Sequence, residues 1–227
     1  MKRTVKLAAL TAATMLLAAP QAMADCNDAP AAGVNWSECY KERLILKGLD
    51  LSGANLEKSY LSGTTFTGSN LVGTNFSGAE LIRVSFRDAK LEQSNFEWAY
   101  GSRNSFQKAE LQNARFQKAE LQRTNFAEAN LQNMDMSKGD YFRSVFDAAT
   151  LSDVDLNRAN LSRTTFRDAV LKNVNLDRAF LYKARFDGVD LSQVQNLDQG
   201  QLDIACGDDA TILPPGLTKP AKWPCDD

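Results

Sequence analysis

The sequence predicts an all-β solenoid, a rod in which short extended segments and turns stack coil upon coil. Three observations carry that expectation. A large apolar residue, position i, recurs every five residues from Leu46 to Leu191 with no insertion or deletion. Position i−2 is small or compact almost throughout, as at Ala54, Ser59, Thr64, Ser69, Thr74, Ala79, Val84 and Ala89. No proline occurs between Ala31 and Leu213, so no backbone donor is lost along the repeat.

A period of five fits neither an amphipathic helix nor an alternating strand. Two inward residues per five, one small and one large, suit a brief extended segment followed by a turn. Such a unit cannot bury its apolar side alone, whereas stacked units can. Of the 30 i positions, 29 are Leu, Phe, Met or Tyr, and the exception is Gly101.

The units Ala54-Asn55-Leu56, Ala79-Glu80-Leu81, Ala129-Asn130-Leu131 and Ala159-Asn160-Leu161 resemble the A-(D/N)-L-x-x motif of pentapeptide-repeat proteins. The resemblance covers 150 of the 227 residues, 44–193. It implies a right-handed quadrilateral parallel β-helix with four pentapeptides per coil. The columns of the sequence support four faces independently. Every fourth unit gives Leu51, Leu71, Leu91, Leu111, Leu131, Leu151, Leu171 and Leu191, or Phe66, Phe86, Phe106, Phe126, Phe146, Phe166 and Phe186. These two columns alone would also fit a ten-residue period. Position i+2 decides, because Arg83, Arg103, Arg123, Arg143, Arg163 and Lys183 stand ten residues from Gln93, Asn113, Asn133, Asp153, Asn173 and Gln193. A twenty-residue coil divides residues 44–193 into 7.5 coils, and at roughly 4.8 Å per coil the rod is about 36 Å long.

Caps are expected over residues 25–43 and 194–227, because bare solenoid ends invite aggregation. The first holds Cys26, Trp36 and Cys39, and the second holds Cys206, Trp223 and Cys225. With the pieces a rod apart and bridged Cα atoms needing about 7 Å or less, Cys26–Cys39 and Cys206–Cys225 are the favoured pairs. A redox pair or a metal site would want C-x-x-C spacing, and a tail folding back along the rod would permit other pairings. A short helix is expected around Leu197–Ile204. Asp203, Asp208 and Asp209 beside it lack the spacing of a calcium loop.

Residues 1–24 read as a secretory signal peptide. Lys2, Arg3 and Lys6 precede the apolar run Leu7–Ala19, and Ala22-Met23-Ala24 is a small-x-small cleavage site. The mature chain then starts at Asp25, in a periplasmic or extracellular compartment where paired cysteines persist. Its net charge becomes −5, from −2 for the whole chain less the three leader cations.

The chain contains no histidine, which removes the commonest general base and metal ligand. The pattern implies no cleft and places carboxylates only outside, so the expectation is no enzyme, no cofactor and no metal. Function is sought on the surface. The column Arg83, Arg103, Arg123, Arg143, Arg163 and Lys183 is the main candidate, with Lys118, Lys138, Arg158 and Arg178 on the adjacent face. Like charges about 4.8 Å apart repel by about 1 kcal/mol even in water. The ladder is therefore either neutralised locally, by Glu80, Glu120 and Asp140 with Glu57, Glu97 and Asp177 nearby, or used to bind an anionic partner. Outward aromatics accompany it: Tyr60, Trp98, Tyr100, Phe142, Phe180 and Tyr182, with Ile82. They centre on Gly101, where either Trp98 or Tyr100 fills the missing interior or the unit bulges to dock a partner.

The resulting expectation is an exported, non-catalytic scaffold, monomer or homodimer, without membrane insertion, presenting this face to a protein or an anionic envelope component. A purely structural or self-associating element is the alternative. Topoisomerase protection, known for some members of the resembled family, wants a strongly acidic rod, whereas residues 44–193 carry 19 basic and 18 acidic residues. Nucleic acid is therefore not an expected partner.

Overall fold

The computed structural model describes residues 24–225. The leader expected over 1–24 lies outside the described residues except for Ala24. Backbone pairing is parallel at an offset of twenty residues, from Asn35↔Asn55 through Tyr60↔Glu80, Thr65↔Ser85 and Asn70↔Lys90 to Asn175↔Gln195. The paired residue is always i−1. Five places extend the pairing to three residues: β1 (Glu80–Ile82), β2 (Tyr100–Ser102), β3 (Glu120–Gln122), β4 (Thr150–Ser152) and β5 (Val170–Lys172). The first three form one parallel sheet in the order β1-β2-β3, and β4 pairs with β5.

Every unit repeats one backbone cycle. Residues i−2 and i point inward, and the N–H of the next i−2 residue closes a turn on the carbonyl of i, as in Ala54 N to Leu51 O (3.0 Å) and Ala79 N to Phe76 O (3.0 Å). Residue i+2 takes a positive φ, from Gly53 (65°) to Lys183 (53°). A closed four-residue turn with positive φ only at its third residue is type II. Some turns lack the closing bond and are stapled from the next coil instead. Thr64 Oγ1 accepts from Leu44 N–H (3.1 Å) and donates to Lys41 O (2.5 Å). Ser144 does the same for Thr124 N–H (3.0 Å) and Leu121 O (3.3 Å). The buried hydroxyls at i−2 thus satisfy backbone groups that would otherwise be stranded.

Within the core, beside buried Leu columns, two aromatic stacks meet edge to face. Phe66, Phe86, Phe106, Phe126, Phe146, Phe166 and Phe186 stack at centroid distances of 5.3, 4.7, 5.0, 4.9, 4.9 and 5.1 Å. These spacings match coils one strand apart. A shorter stack, Phe76, Phe96 and Phe116 (4.6 and 4.4 Å), lies half a coil away and meets the first edge-on, as at Phe76–Phe86, 5.4 Å and 85°. Edge-to-face pairs add about 0.5–1.5 kcal/mol each beyond area burial. Tyr141 replaces a core apolar residue. Its hydroxyl donates to Phe116 O (3.1 Å), and burial holds its pKa well above the usual phenol value.

Cys26 pairs with Cys39 and Cys206 with Cys225, both at 5.5 Å between Cα atoms, as the spacing argument favoured. Residues 33–43, assigned above to an N-terminal cap, already follow the coil's cycle. Gly33 N–H donates to Ser52 O (2.8 Å), Trp36 N–H to Asn55 O (2.7 Å), and Val34 and Trp36 are buried at i−2 and i. Lys41, at the next i position, hides this register in the sequence. Its ammonium lies 3.9 Å from the Trp36 ring centroid and donates to Cys26 O (2.6 Å), so it closes the end of the rod.

At the other end α1 (Gln199–Ile204) starts from a capping box between Asp198 and Gln201. The segment through α1 lengthens the pairing offset to 21 at Arg185↔Cys206, and the Asp208–Thr211 turn adds one more, giving 22 at Asp190↔Ile212. Trp223 covers the last coil, its indole N–H donating to Ala205 O (2.9 Å). The acidic residues near α1 are occupied by cap chemistry: Asp208 accepts from Gly188 N–H and Thr211 Oγ1, Asp209 pairs with Lys219 and Asp203 accepts from Gln199.

Candidate functional site

The face whose central column reads Leu61, Leu81, Gly101, Leu121, Tyr141, Leu161 and Leu181 lies between two corner columns. Each corner is the positive-φ position of a turn. One column reads Lys58, Gly78, Trp98, Lys118, Lys138, Arg158 and Arg178, and the other Arg43, Gly63, Arg83, Arg103, Arg123, Arg143, Arg163 and Lys183. Position i+2 therefore has a backbone role that its charge does not reveal. A residue with Cβ in the left-handed region is disfavoured by about 1–2 kcal/mol, with Gly exempt and Asn and Asp the least penalised.

On the opposite face one corner column leans towards that preference, reading Gly53, Gly73, Gln93, Asn113, Asn133, Asp153 and Asn173, while the other is mixed, reading Gly48, Gly68, Asp88, Lys108, Glu128, Ala148, Asp168 and Gly188. On the candidate face φ is 57°, 59°, 53°, 57°, 56° and 53° at Arg83, Arg103, Arg123, Arg143, Arg163 and Lys183. Six successive coils thus carry long cations where the turn favours Gly or Asn. Arg43 belongs to the same column, which the sequence boundary at residue 44 concealed.

All six cations are exposed. Among the described residues none forms an ion pair; the carboxylates expected to neutralise them are engaged elsewhere or stand apart. Glu80 accepts from Ser62 Oγ (2.8 Å), and Asp140 from Gln122 Nε2 (2.6 Å), Phe142 N–H and Asn160 Nδ2. Glu57 pairs with Lys58 (3.4 Å), Glu97 with Arg115 (3.2 Å) and Asp177 with Arg178 (3.9 Å). In the second column Lys118 instead sits over the Trp98 ring, 4.1 Å from its centroid, a contact worth about 0.5–1 kcal/mol at an exposed site.

The aromatics divide. Trp98 (60% exposed), Tyr100 (43%), Phe180 (54%) and Tyr182 (42%) project into solvent. Tyr60 and Phe142 are half-buried: Tyr60 stacks on Tyr40 at 4.3 Å, and the Arg143 guanidinium lies 5.1 Å from the Phe142 centroid. Burial, then the Glu80 carboxylate, raises the Tyr100 phenol above its ordinary pKa.

Neither Trp98 nor Tyr100 fills the interior at Gly101, which corrects that expectation. Gly101 has φ 145°, and a Cβ there would lie 1.7 Å from Leu81 O. The missing side chain permits a close backbone approach. The same carbonyl accepts from the buried Asn104 Nδ2 (2.9 Å), while Asn104 Oδ1 accepts from Val84 N–H (2.9 Å). Asn104 thus staples this coil as Thr64 and Ser144 staple theirs, and both large aromatics stay outside.

Parallel five-residue units stacked at twenty-residue intervals define a β-solenoid. A family model described as Pentapeptide repeats matches in eight copies, with residues 45–81, 59–97, 79–117, 105–140 and 155–193 covered. The chain belongs to the pentapeptide-repeat family, whose members fold as right-handed β-helices and are generally non-enzymatic scaffolds. A similar solved structure is HetL, a pentapeptide repeat protein involved in heterocyst differentiation regulation in the cyanobacterium Nostoc sp. strain PCC 7120. It is 20% identical, with TM-score 0.51 over 80% of this chain and 92% of that one. Full-length QnrB1, a plasmid-mediated fluoroquinolone resistance protein, is 14% identical, with TM-score 0.45 over 79% and 93%. No curated protein sequence matches the chain.

Proposed function

We propose that the chain is an exported, non-catalytic scaffold whose basic and aromatic face docks an acidic protein or an anionic envelope component. The observation that carries this reading is the cation column at left-handed corners. Each Arg there is disfavoured by about 1 kcal/mol relative to Gly, and no ion pair among the described residues offsets it. A turn requirement would select Gly or Asn, as it does along most of the Gly53 to Asn173 corner column of the opposite face. A requirement for charge on the outside of the rod selects Arg. Trp98, Tyr100 and Tyr182 beside the column add the exposed aromatic surface that interaction sites favour.

In this reading the rod is four-sided, with about 7.5 coils over residues 44–193, and the caps at its ends keep it from growing by edge pairing. Export is supported by the signal-peptide pattern of residues 1–24 and by the two disulfides, which belong in a non-reducing compartment. The near balance of charge over 44–193 disfavours mimicry of DNA. The test is a pull-down from extracytoplasmic material with the chain from Asp25. Arg103→Glu combined with Arg123→Glu should leave folding intact and reduce retention of anionic fractions. Unchanged retention by a folded double variant would defeat the reading.

A further inference from the structure

The regular ladder is interrupted at one step on the face opposite the basic column. In the two coils before it, Leu131 N–H donates to Thr150 O (2.9 Å), Ala148 N–H to Arg167 O (2.8 Å) and Thr150 N–H to Ala129 O (3.0 Å). The equivalent bonds from Leu171 N–H to Asp190 O, Asp168 N–H to Asp187 O and Asp190 N–H to Ala169 O are absent among the described residues. Asn173 N–H slips by one residue, onto Gln193 O (3.2 Å) rather than Ser192 O. Val170 and Asp190 do not pair, although Val170 pairs with Thr150 and Asp190 with Ile212. The cause lies downstream. The segment through α1 moves the last coil to an offset of 21 and the Asp208–Thr211 turn to 22, and Asp190 follows that coil instead of β5.

The parted strands leave a cavity of about 390 Å³, lined by Asp168–Lys172, Gly188, Asp190 and Gln193. Its two lips are complementary halves of one ladder. The Leu171 N–H and Ala169 C=O stand on one side, and the Asp190 N–H and C=O on the other. Val170 at the rim is 56% exposed. Unpaired backbone groups lose about 1–3 kcal/mol each when buried without a partner, so a ligand that pairs both lips is rewarded. An extended peptide is the chemistry that does so, because its N–H and C=O groups alternate along both edges.

We propose that this cleft is a strand-addition site for an extended peptide segment bearing a basic side chain. The basic preference follows from the lining, where the Asp168 and Asp190 carboxylates outnumber the Lys172 ammonium. Asp168 accepts no hydrogen bond among the described residues and is exposed, so its charge is available to the segment. The site lies half a coil from Arg163 and Lys183 and stands apart from the anionic partner proposed for that face.

The test uses the disulfide-bonded chain and three synthetic heptapeptides: one alternating valine and lysine, one with glutamate for lysine, and the lysine peptide with alternate amides N-methylated. Amide hydrogen exchange is read residue by residue. In the free protein, Leu171 and Asp190 amides should exchange at least about tenfold faster than those of Leu131 and Thr150, whose bonds are intact. The lysine peptide should slow both by a similar factor; the glutamate and N-methylated peptides should not. Asp168→Lys, at a corner type that Lys108 and Lys118 already occupy, should weaken the lysine peptide about tenfold without altering free-protein exchange at Leu171. Protection of Leu171 equal to that of Leu131 in the free protein would overturn the proposal. So would equal protection by the glutamate peptide, or protection that rises with protein concentration alone, which would make the occupant a second copy of the chain.

Discussion

Gly101→Ala isolates the close approach between β1 and β2. The new Cβ would lie 1.7 Å from Leu81 O and 2.4 Å from Leu81 C, both backbone atoms. No rotamer relieves that overlap, so the two coils must part locally. The bonds at risk are Tyr100 N to Ala79 O (3.0 Å), Arg83 N to Ser102 O (2.9 Å) and the two from Asn104. At about 1 kcal/mol each, the expected destabilisation is about 4 kcal/mol. Gly53→Ala is the control. It places a Cβ at φ 65° with nothing within 4 Å, so only the left-handed backbone cost of about 1 kcal/mol applies. Urea unfolding of both variants, with amide exchange at Val84 and Arg103, separates the cases. If Gly101→Ala costs no more than Gly53→Ala, the argument that Gly101 exists for backbone approach is wrong.

Three further predictions rest on buried polar groups and the caps. Asn104→Ala should cost about 2–3 kcal/mol, because Val84 N–H and Leu81 C=O lose their partner; Asn104→Ser should recover part, since Ser144 fills that role elsewhere, as unfolding midpoints would show. Tyr141 has a phenol pKa raised by burial, so its contribution is intact below the unfolded-state value of about 10 and is lost as pH rises beyond it. Alkaline unfolding followed by circular dichroism should accordingly be shallower above that pH in Tyr141→Phe, whose neutral-pH cost is about 1 kcal/mol for the lost bond to Phe116 O. Opening Cys206–Cys225 with paired serines should remove about 3 kcal/mol for a loop closed across 19 residues, with faster exchange confined first to the last coil, at Lys183 and Phe186.

Much of this was legible in the sequence because the repeat is free of insertions. A column such as Phe66 to Phe186 can be read by counting, and its stacking follows from the strand spacing. The disulfides were legible because the two pairs stand at opposite ends of that count. The corners were not. Arg83 and its successors announce charge, and only the earlier column members Gly53, Gly63, Gly73 and Gly78 hint that the same position is a left-handed turn. Gly101 reads as a lost side chain, whereas the backbone of the neighbouring coil occupies the position a Cβ would need. Lys41 masks the first coil because an inward position at a rod end can hold a cation over Trp36. The cleft beside Val170 left no mark either, since the period runs unbroken to Leu191 and the extra residues lie beyond it, in α1 and the Asp208–Thr211 turn.

That the corner cations exist for a partner rather than for the fold is tested most directly by Arg103→Gly combined with Arg123→Gly. Glycine suits the left-handed corner better than arginine, by up to about 1 kcal/mol per site, partly offset by the entropy of the unfolded chain. The measurement is salt-dependent retention of anionic extracytoplasmic material on the immobilised variant, alongside its unfolding midpoint. If the cations serve a partner, the midpoint equals or exceeds that of the parent protein and retention is clearly lost. A lowered midpoint with retention unchanged would show that the arginines serve the rod itself, and would contradict a binding role.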